Sequence, residues 1–203
     1  MRRILIAALL VAPLAGGAQE AGYYAPARGP WYIGFGVGAG DGQTYVGGTT
    51  SSFHDVLVAE GGSDHFRLGG NFKIGATLSP TTLLGFDLTV LRGFGSAPGG
   101  YDTWVQVSNW NLMFTFFPMQ QGLFLRGGGG LSWLETGIQD RFTLARSTLD
   151  YAGLDLLAGV GYAFPLTRRF NLTLNADFSW QFYGASDVSG SRMYLVYVGF
   201  DFY

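Results

Sequence analysis

The stretch that decides the fold is Tyr194–Tyr203, which reads YLVYVGFDFY. One set of alternate residues is apolar apart from a tyrosine hydroxyl: Tyr194, Val196, Val198, Phe200 and Phe202. The other set mixes small, charged and aromatic side chains: Leu195, Tyr197, Gly199, Asp201 and Tyr203. A period of two indicates a β-strand with two different environments. Because so apolar an edge would aggregate in water, we expect lipid on one face and pairing on both edges, which closes a β-barrel.

The composition favours short strands in apolar surroundings. The 203 residues include 33 glycines, 17 Phe, 11 Tyr and 5 Trp, and only 13% are charged, about half the usual share. After the first twenty residues, no run reaches the roughly 18 apolar residues of a membrane helix. High hydrophobicity in short alternating pieces is typical of a transmembrane barrel, whose backbone groups are satisfied by strand pairing. A soluble β-sandwich is the alternative, and the aromatic faces argue against it.

The first eighteen residues have the pattern of a secretory signal. Arg2 and Arg3 precede the apolar run Ile4–Leu14, and small residues favour cleavage after Ala18. The predicted division is a signal peptide at 1–18, a linker at 19–30 and a barrel at 31–203. Without the two arginines, 12 − 2 = 10 basic residues face 14 acidic ones, so the mature charge of −4 argues against a nucleic-acid partner.

Eight strands are predicted by the same alternation. Their ranges are Trp31–Gly40, Phe66–Leu78, Leu83–Arg92, Trp104–Phe117, Gly122–Leu134, Gly153–Phe164, Arg169–Phe182 and Tyr194–Tyr203. Long loops are expected at 41–65, 93–103, 136–152 and 183–192, and tight turns after the second, fourth and sixth strands. This asymmetry is typical of an outer-membrane barrel with short periplasmic turns and longer extracellular loops. The predicted fold class is an all-β, eight-stranded, antiparallel transmembrane barrel in an up-and-down meander.

Three segments carry a resemblance to a known group of proteins. They are GPWYIGFGVGAG at 29–40, SNWNLMFTFFP at 108–118 and GLFLRGGGGLSW at 122–133. With the eight-strand pattern over 31–203, they resemble the small outer-membrane barrels of the OmpA/OmpX-like and opacity-type porin group. Phe200 and Phe202 resemble the terminal aromatic insertion signal of that group, although Tyr203 adds one residue beyond the usual last aromatic. The resemblance implies a cofactor-free monomer in the outer membrane, inserted by the barrel assembly machinery and in contact with membrane lipids and lipopolysaccharide.

The inward face is predicted to fill the barrel. Its charged members are Arg67, Lys73, Arg126, Asp87, Asp155, Asp177 and Asp201. An eight-stranded barrel has an interior just wide enough for its own side chains, and charges confined there should be paired. Because Lys73, Asp87 and Arg126 lie at similar heights above the short turns, we expect one ion-pair cluster across the lumen. A filled lumen is favoured over a gated pore.

Glycines recur at alternate inward positions. They include Gly34, Gly36, Gly38, Gly40, Gly128, Gly130, Gly159 and Gly161. Glycine weakens a strand unless another group approaches closely. We therefore expect Tyr32, Phe124 and Tyr197 to lie over these positions in the narrow lumen.

Both histidines, His54 and His65, fall in the first loop. A solvated surface loop is the default, with an extracellular metal site and a catalytic group as alternatives. His54, Asp55 and Ser52 match the loop residues of the outer-membrane palmitoyltransferases only loosely, and this glycine-rich loop lacks signs of the rigidity that catalysis needs. We therefore predict no catalytic, metal or cofactor residue. The predicted role is structural or surface-interacting, with a narrow porin and then a lipid A-modifying enzyme as alternatives.

Two arginines of the third loop are candidates for lipid contact. Arg141 and Arg146 lie among ordinary solvated charges. Because arginine binds phosphate through two parallel hydrogen bonds, these residues are candidates for contact with lipopolysaccharide phosphates.

Overall fold

The computed structural model describes residues 28–58 and 62–203. The elements are β1 (Trp31–Val46), β2 (Thr49–Ser52), α1 (Phe53–Leu57), β3 (Ser63–Ser79), β4 (Thr82–Ala97), β5 (Tyr101–Phe116), β6 (Gly122–Asp140), β7 (Arg146–Pro165), β8 (Phe170–Tyr183) and β9 (Val188–Phe202). The long strands β1 and β3 to β9 follow one another in chain order, and β1 also pairs with β9. The predicted eight-stranded antiparallel up-and-down barrel is thereby confirmed. The predicted signal peptide, and the linker up to residue 27, lie outside the described residues.

The last strand closes the barrel by pairing on both of its edges. Phe200 lies opposite Phe35 of β1 and opposite Leu172 of β8. The expected pairing of this strand on both edges is therefore confirmed. We call the end that holds Pro30, Tyr203 and the short turns the terminal end, and the opposite end the hairpin end.

The two faces of each strand are as different as the alternation predicts. On β5, Leu112 is 61% exposed on the outer surface, whereas its neighbours Asn111 and Met113 are buried in the lumen. Large apolar side chains cover the outside of every long strand between two polar rims. The barrel is therefore apolar outside and polar through much of its interior.

The predicted loop boundaries are wrong at the hairpin end, because the strands run on past the point where the alternation stops. β6 continues to Asp140 and β7 begins at Arg146, so most of the predicted loop 136–152 is paired strand. The pairs Glu135 with Asp150 and Gln139 with Arg146 show that the ladder continues there. Both faces of this extension carry polar residues, so the in-and-out contrast is lost while backbone hydrogen bonding is kept.

The strands are also longer than an apolar band requires. The barrel strands contain 14 to 20 residues. At about 3.3 Å per residue and a tilt of about 40°, they reach roughly 35–50 Å along the barrel axis, against an apolar band of about 25 Å. The surplus projects at the hairpin end.

The first predicted loop, 41–65, is more ordered than expected. After the Gly47-Gly48 turn, whose φ angles are 55° and 81°, β2 folds back on β1, and α1 follows at once. Ser52 caps α1 through a capping box with Asp55, a pattern that stabilises a helix start. No helix among residues 28–58 and 62–203 is long and apolar enough to cross a membrane.

Candidate functional site

The lumen is closed at its terminal end by a layer of aromatic and aliphatic side chains. Its buried members are Tyr32, Leu83, Phe117, Phe124, Ala163 and Tyr203. The rings of Phe117 and Phe124 lie 5.2 Å apart, and those of Tyr32 and Tyr203 lie 6.1 Å apart. We call this set the terminal layer.

Residues just before β1 pack against the terminal layer. The guanidinium of Arg28 lies 3.7 Å from the centre of the Phe117 ring and donates a hydrogen bond to the carbonyl of Pro80. The carbonyl of Pro30 accepts a hydrogen bond of 3.0 Å from the amide of Thr77. Burial lowers the pKa of Arg28 below its ordinary value, opposed by the neighbouring Tyr203. The chain before β1 thus adds a cationic cover to the terminal end.

Arg126 is the centre of a buried ionic layer. Its guanidinium pairs with Asp87, places Nε 3.5 Å from Asp177 Oδ1, and donates a 3.0 Å hydrogen bond to the Tyr197 hydroxyl. The side chains of Arg126, Asp87 and Asp177 are at most 1% exposed. A buried charge is costly unless it is paired and hydrogen-bonded, and this cation has two carboxylates and a phenol around it.

Lys73, the third residue of the predicted cluster, points to a different carboxylate. Although Lys73 and Asp87 are register partners, the ammonium contacts Asn175 Oδ1 at 3.3 Å and Asp201 Oδ1 at 3.9 Å. Its Nζ also lies 5.4 Å from the centre of the Tyr197 ring. The structure therefore brings Arg126 and Asp87 into direct contact and joins Lys73 to them through Tyr197.

Asp177 completes the ionic layer and was not part of the predicted cluster. In the register of the sheet, Arg126 lies opposite Gly159, and Gly159 lies opposite Asp177. A Cβ on Gly159 would collide with the Asp177 carboxylate and come within 3.0 Å of Arg126 Cγ. The sequence signal for this ion pair is Gly159, because the missing side chain on the middle strand leaves room for Arg126 and Asp177 of the two flanking strands to meet.

A hydrogen-bond network of amides, hydroxyls and one carboxylate lies above the ionic layer. The buried Asp155 carboxylate accepts hydrogen bonds from Asn111 Nδ2 at 2.6 Å and from Gln181 Nε2 at 3.1 Å. Ser191 Oγ donates to Gln181 Oε1 at 2.7 Å and lies 2.9 Å from the Tyr183 hydroxyl. Within the described part of the chain, no cation pairs with Asp155. Amides rather than a counter-charge hold this carboxylate.

Helix α1 and an apolar layer close the hairpin end. Phe53 and Leu57 of α1 are 0% and 1% exposed. They pack on inward side chains of the strands: Leu91, Val105, Val107, Leu134, Tyr183, Val188, Met193, Leu195 and Tyr197. We call this set the hairpin layer. The sequence reasoning missed it, although the inward positions turn from polar to apolar at Leu91, Val107 and Leu195.

The expectation that inward glycines make room for aromatic rings is confirmed at Gly36 and Gly161. It is wrong at most of the others, where a Cβ would meet backbone or polar side chains, such as Asp201 at Gly34 and Asp177 at Gly159. A Cβ on Gly36 would lie 2.5 Å from Tyr197 Cδ2, and a Cβ on Gly161 would collide with the Phe124 ring. The rings therefore lie flat over the backbone of these strands and fill the remaining width of the lumen.

The histidines and their neighbours in the first loop form two separate contacts. His54 Nδ1 lies 2.9 Å from Asp64 Oδ2, and Arg67 also bonds to Asp64. Asp55 instead accepts hydrogen bonds from the amide and hydroxyl of Ser52, at 2.8 and 2.7 Å. Ser52, His54 and Asp55 therefore do not line up as nucleophile, base and orienting acid. His65 is exposed, and within the described residues no group of three or more His, Cys, Asp or Glu could hold a metal ion.

The two arginines predicted to contact lipopolysaccharide lie in different places. Arg141 is at the tip of the β6–β7 hairpin, where it pairs with Asp102 Oδ1 at 2.7 Å through Nε. Arg146 lies on the outer wall of the barrel, where it pairs with Glu135 and stacks on Trp104 at 4.5 Å.

Comparisons with known proteins agree with this architecture. No protein-family model matches the sequence, and no curated protein matches it at a significant level. The crystal structure of Ail from Yersinia pestis, in complex with the heparin analogue sucrose octasulfate, is similar at a TM-score of 0.59 and 12% identity, covering 86% of this chain and 100% of that one. Neisserial surface protein A is similar at a TM-score of 0.52 and 15% identity, covering 86% and 97%. This chain therefore has the fold of the small eight-stranded outer-membrane β-barrels.

Proposed function

We propose that this chain is an integral outer-membrane barrel with a side-chain-filled lumen, and that it acts in envelope structure or in surface interactions rather than in transport. The observation that carries the proposal is the layering of the lumen. The ionic layer around Arg126 lies between the terminal layer, which includes Phe117, and the hairpin layer, which includes Phe53. An eight-stranded barrel has no spare width, so such layers leave no continuous aqueous path.

The outer surface supports membrane insertion. Trp31, Leu112 and Leu154 are 58%, 61% and 62% exposed, and they belong to a belt of similar side chains around the barrel. A water-soluble monomer does not expose a continuous apolar belt of this kind. The proposal includes export by a signal peptide at Met1–Ala18 and insertion by the barrel assembly machinery, for which Phe200, Phe202 and Tyr203 are the proposed signal.

The hairpin end supports a role at the cell surface. The β6–β7 tip exposes Phe142 and Leu144, at 84% and 68%, beyond the apolar belt. Aromatic and aliphatic side chains at such a tip are available to a partner, and loops on a rigid barrel are a common place for binding residues.

Conductance tests the filled lumen. Refolded protein in a planar bilayer is expected to give no steady openings, and neither is Asp87→Ala, because the terminal and hairpin layers remain in place. Resistance of the inserted protein to protease serves as the control for folding. Steady openings of the wild-type protein that Asp87→Ala enlarges would make transport the correct function.

Thiol labelling tests the location and the topology. The sequence has no cysteine, so single substitutions report one position each. Thr143→Cys, at the β6–β7 tip, is expected to react with a membrane-impermeant maleimide in intact cells. Leu166→Cys, in the exposed turn before β8, is expected to react only after the outer membrane is permeabilised. The reverse pattern, or equal labelling of both in intact cells, would contradict the proposed placement.

We propose no catalytic role for the first loop, because Ser52 and Asp55 are used in the cap of α1. Mass spectra of lipid A from cells that express the wild type or His54→Ala are expected to match those of cells without the protein. A modified lipid A that disappears with His54→Ala would show an enzyme.

A further inference from the structure

Two outward arginines mark the hairpin side of the apolar belt. On β4 the apolar outward residues Leu84, Phe86, Leu88 and Val90 precede Arg92, and one more, Phe94, follows it with its ring 5.2 Å from the guanidinium. On β9 the outward residues below Arg192 are equally free of charge: Phe202, Phe200, Val198, Val196 and Tyr194. In a barrel that spans a membrane, the first charged side chain above the belt lies at the level of the lipid headgroups.

Arg92 belongs to a patch that centres on Trp104. The Arg92 guanidinium lies 5.5 Å from the centre of the Trp104 ring, and the Arg146 guanidinium lies 4.5 Å from it. The indole N–H donates to Glu135 Oε1 at 2.8 Å, which fixes the ring. Stacking on an aromatic face orders a guanidinium, while the N–H groups, which point outward in the plane of the guanidinium, stay free to donate hydrogen bonds. We call these residues the Trp104 patch.

The two arginines of the Trp104 patch are paired unequally, and Asp150, the exposed register partner of Glu135, adds a second carboxylate beside them. Glu135 pairs with Arg146, whose side chain is still 50% exposed. Arg92 has only Gln106 as a side-chain hydrogen-bond partner, at 3.4 Å, and no carboxylate of residues 28–58 or 62–203 forms an ion pair with it. Its Nε is shielded from water and has no partner. Burying an N–H donor without an acceptor costs free energy, and an acceptor that reaches the donor removes this cost.

The same arrangement recurs on the opposite wall. The Arg192 guanidinium lies 4.6 Å from the centre of the Trp180 ring and 5.2 Å from that of Tyr45, and its Nε also lacks a partner. Because β4 and β9 are separated by two strands in one direction and by four in the other, the two arrangements are independent. Arg92 and Arg192 lie at a similar height on the barrel, which indicates that an anion binds at this level.

We propose that the Trp104 patch binds a phosphate group on the headgroup of an outer-leaflet glycolipid, and this inference rests on the proposed outer-membrane placement. Phosphate suits the patch because a planar guanidinium offers paired donors to two of its oxygens. A lipid is the source because the patch adjoins the apolar belt, so acyl chains and headgroup are bound together. Arg92 and Arg146 would approach the phosphate from two sides of the indole.

Native mass spectrometry tests the proposal directly. Refolded protein in nonionic detergent micelles is mixed with lipid A that carries two phosphates, and the bound fraction is measured against lipid concentration. We expect Arg92→Gln with Arg146→Gln to weaken binding at least tenfold, and each single change to weaken it less. Arg141→Gln is the matched control, because Arg141 lies at the hairpin tip and pairs with Asp102.

Three results would overturn the proposal. They are unchanged binding by the double variant, equal binding of lipid A after both phosphates have been removed, and full competition by inorganic phosphate at the concentration of the lipid. The last result would show a general anion site instead of a lipid site. Because the measurement is made in micelles, it is independent of both the conductance result and the labelling in cells.

Discussion

Arg126 Nε lies 3.5 Å from Asp177 Oδ1 over Gly159 of β7, although β6 and β8 do not pair with each other. The same guanidinium bonds to Asp87 on β4, which is not a neighbour of β6 either. One side chain therefore connects three strands whose backbones share no hydrogen bond. Its removal would leave two buried carboxylates without a cation.

Replacing Arg126 with methionine is expected to lower the free energy of unfolding by roughly 3–5 kcal/mol, because it leaves Asp87 and Asp177 buried and unpaired. Urea titration of protein folded in lipid vesicles measures the change. Arg141→Ala is the control, since that exposed ion pair should leave the midpoint unchanged. Adding Asp87→Asn and Asp177→Asn to the methionine variant should recover much of the loss. An unaltered midpoint for Arg126→Met would show that the ionic layer does not stabilise the barrel.

The ionic layer also shows which contacts in the lumen can be predicted from the sequence and which cannot. Counting residues from the short turns places Arg126 and Asp87 at one height, because strand geometry is regular. The stagger of the strands decides which carboxylate a long side chain reaches across the lumen, and no pattern within one strand contains that information. Lys73 reaches Asp201 for this reason, while Gly159 gives a partial clue to Asp177.

The hairpin end was less predictable than the belt. Apolar and polar residues alternate along a strand only where its two faces have different surroundings. Above the belt, both faces of β6 and β7 have polar surroundings, so the alternation is lost. The start of α1 could have been found from Ser52 and Asp55, a capping pattern followed by apolar residues. That Phe53 and Leu57 enter the lumen depends on contacts with distant strands and could not be read from the loop alone.

Gly36→Ala is expected to destabilise the barrel by roughly 1–3 kcal/mol, because the new Cβ would lie 2.5 Å from Tyr197 Cδ2 in a filled lumen. Gly70→Ala is the matched control on the outer face of the neighbouring strand, where the nearest atom is 3.8 Å away. The folded fraction of each variant can be compared by its mobility on unheated gels across a urea series. Equal stability of the two variants would mean that the Tyr197 ring is free to move aside.

The cap of α1 should depend on pH through Asp55. Hydrogen bonds from the hydroxyl and amide of Ser52 lower the pKa of Asp55 from its ordinary value of 3.8. A carboxyl whose pKa is lowered by folding stabilises the fold at pH above its unfolded value, and this contribution is lost as the pH falls through the lowered pKa. The amide signals of Ser52 and Asp55, followed by NMR in nanodiscs, should therefore titrate below pH 3.8, and Asp55→Asn should abolish the transition. A transition at or above the ordinary value would contradict the capping box.

The exclusion of water by the terminal layer can be measured through the reactivity of a cysteine placed on the lumen side of this layer. Thr115 is buried, faces inward and lies opposite Arg126, one inward position deeper than Phe117. In folded protein, Thr115→Cys should react slowly with a small methanethiosulfonate reagent. Adding Phe117→Ala should speed the reaction at least tenfold, and Arg28→Ala should speed it less, because Arg28 covers the ring from outside.

Phe142→Ala is the control for this experiment, because it alters the far tip of the barrel and should leave the rate unchanged. The comparison separates two ways for water to reach the ionic layer. If Thr115→Cys alone reacts as fast as a cysteine at the exposed Thr143, the terminal layer does not exclude water. The lumen would then be open from that end, and only the hairpin layer around Phe53 could prevent conduction.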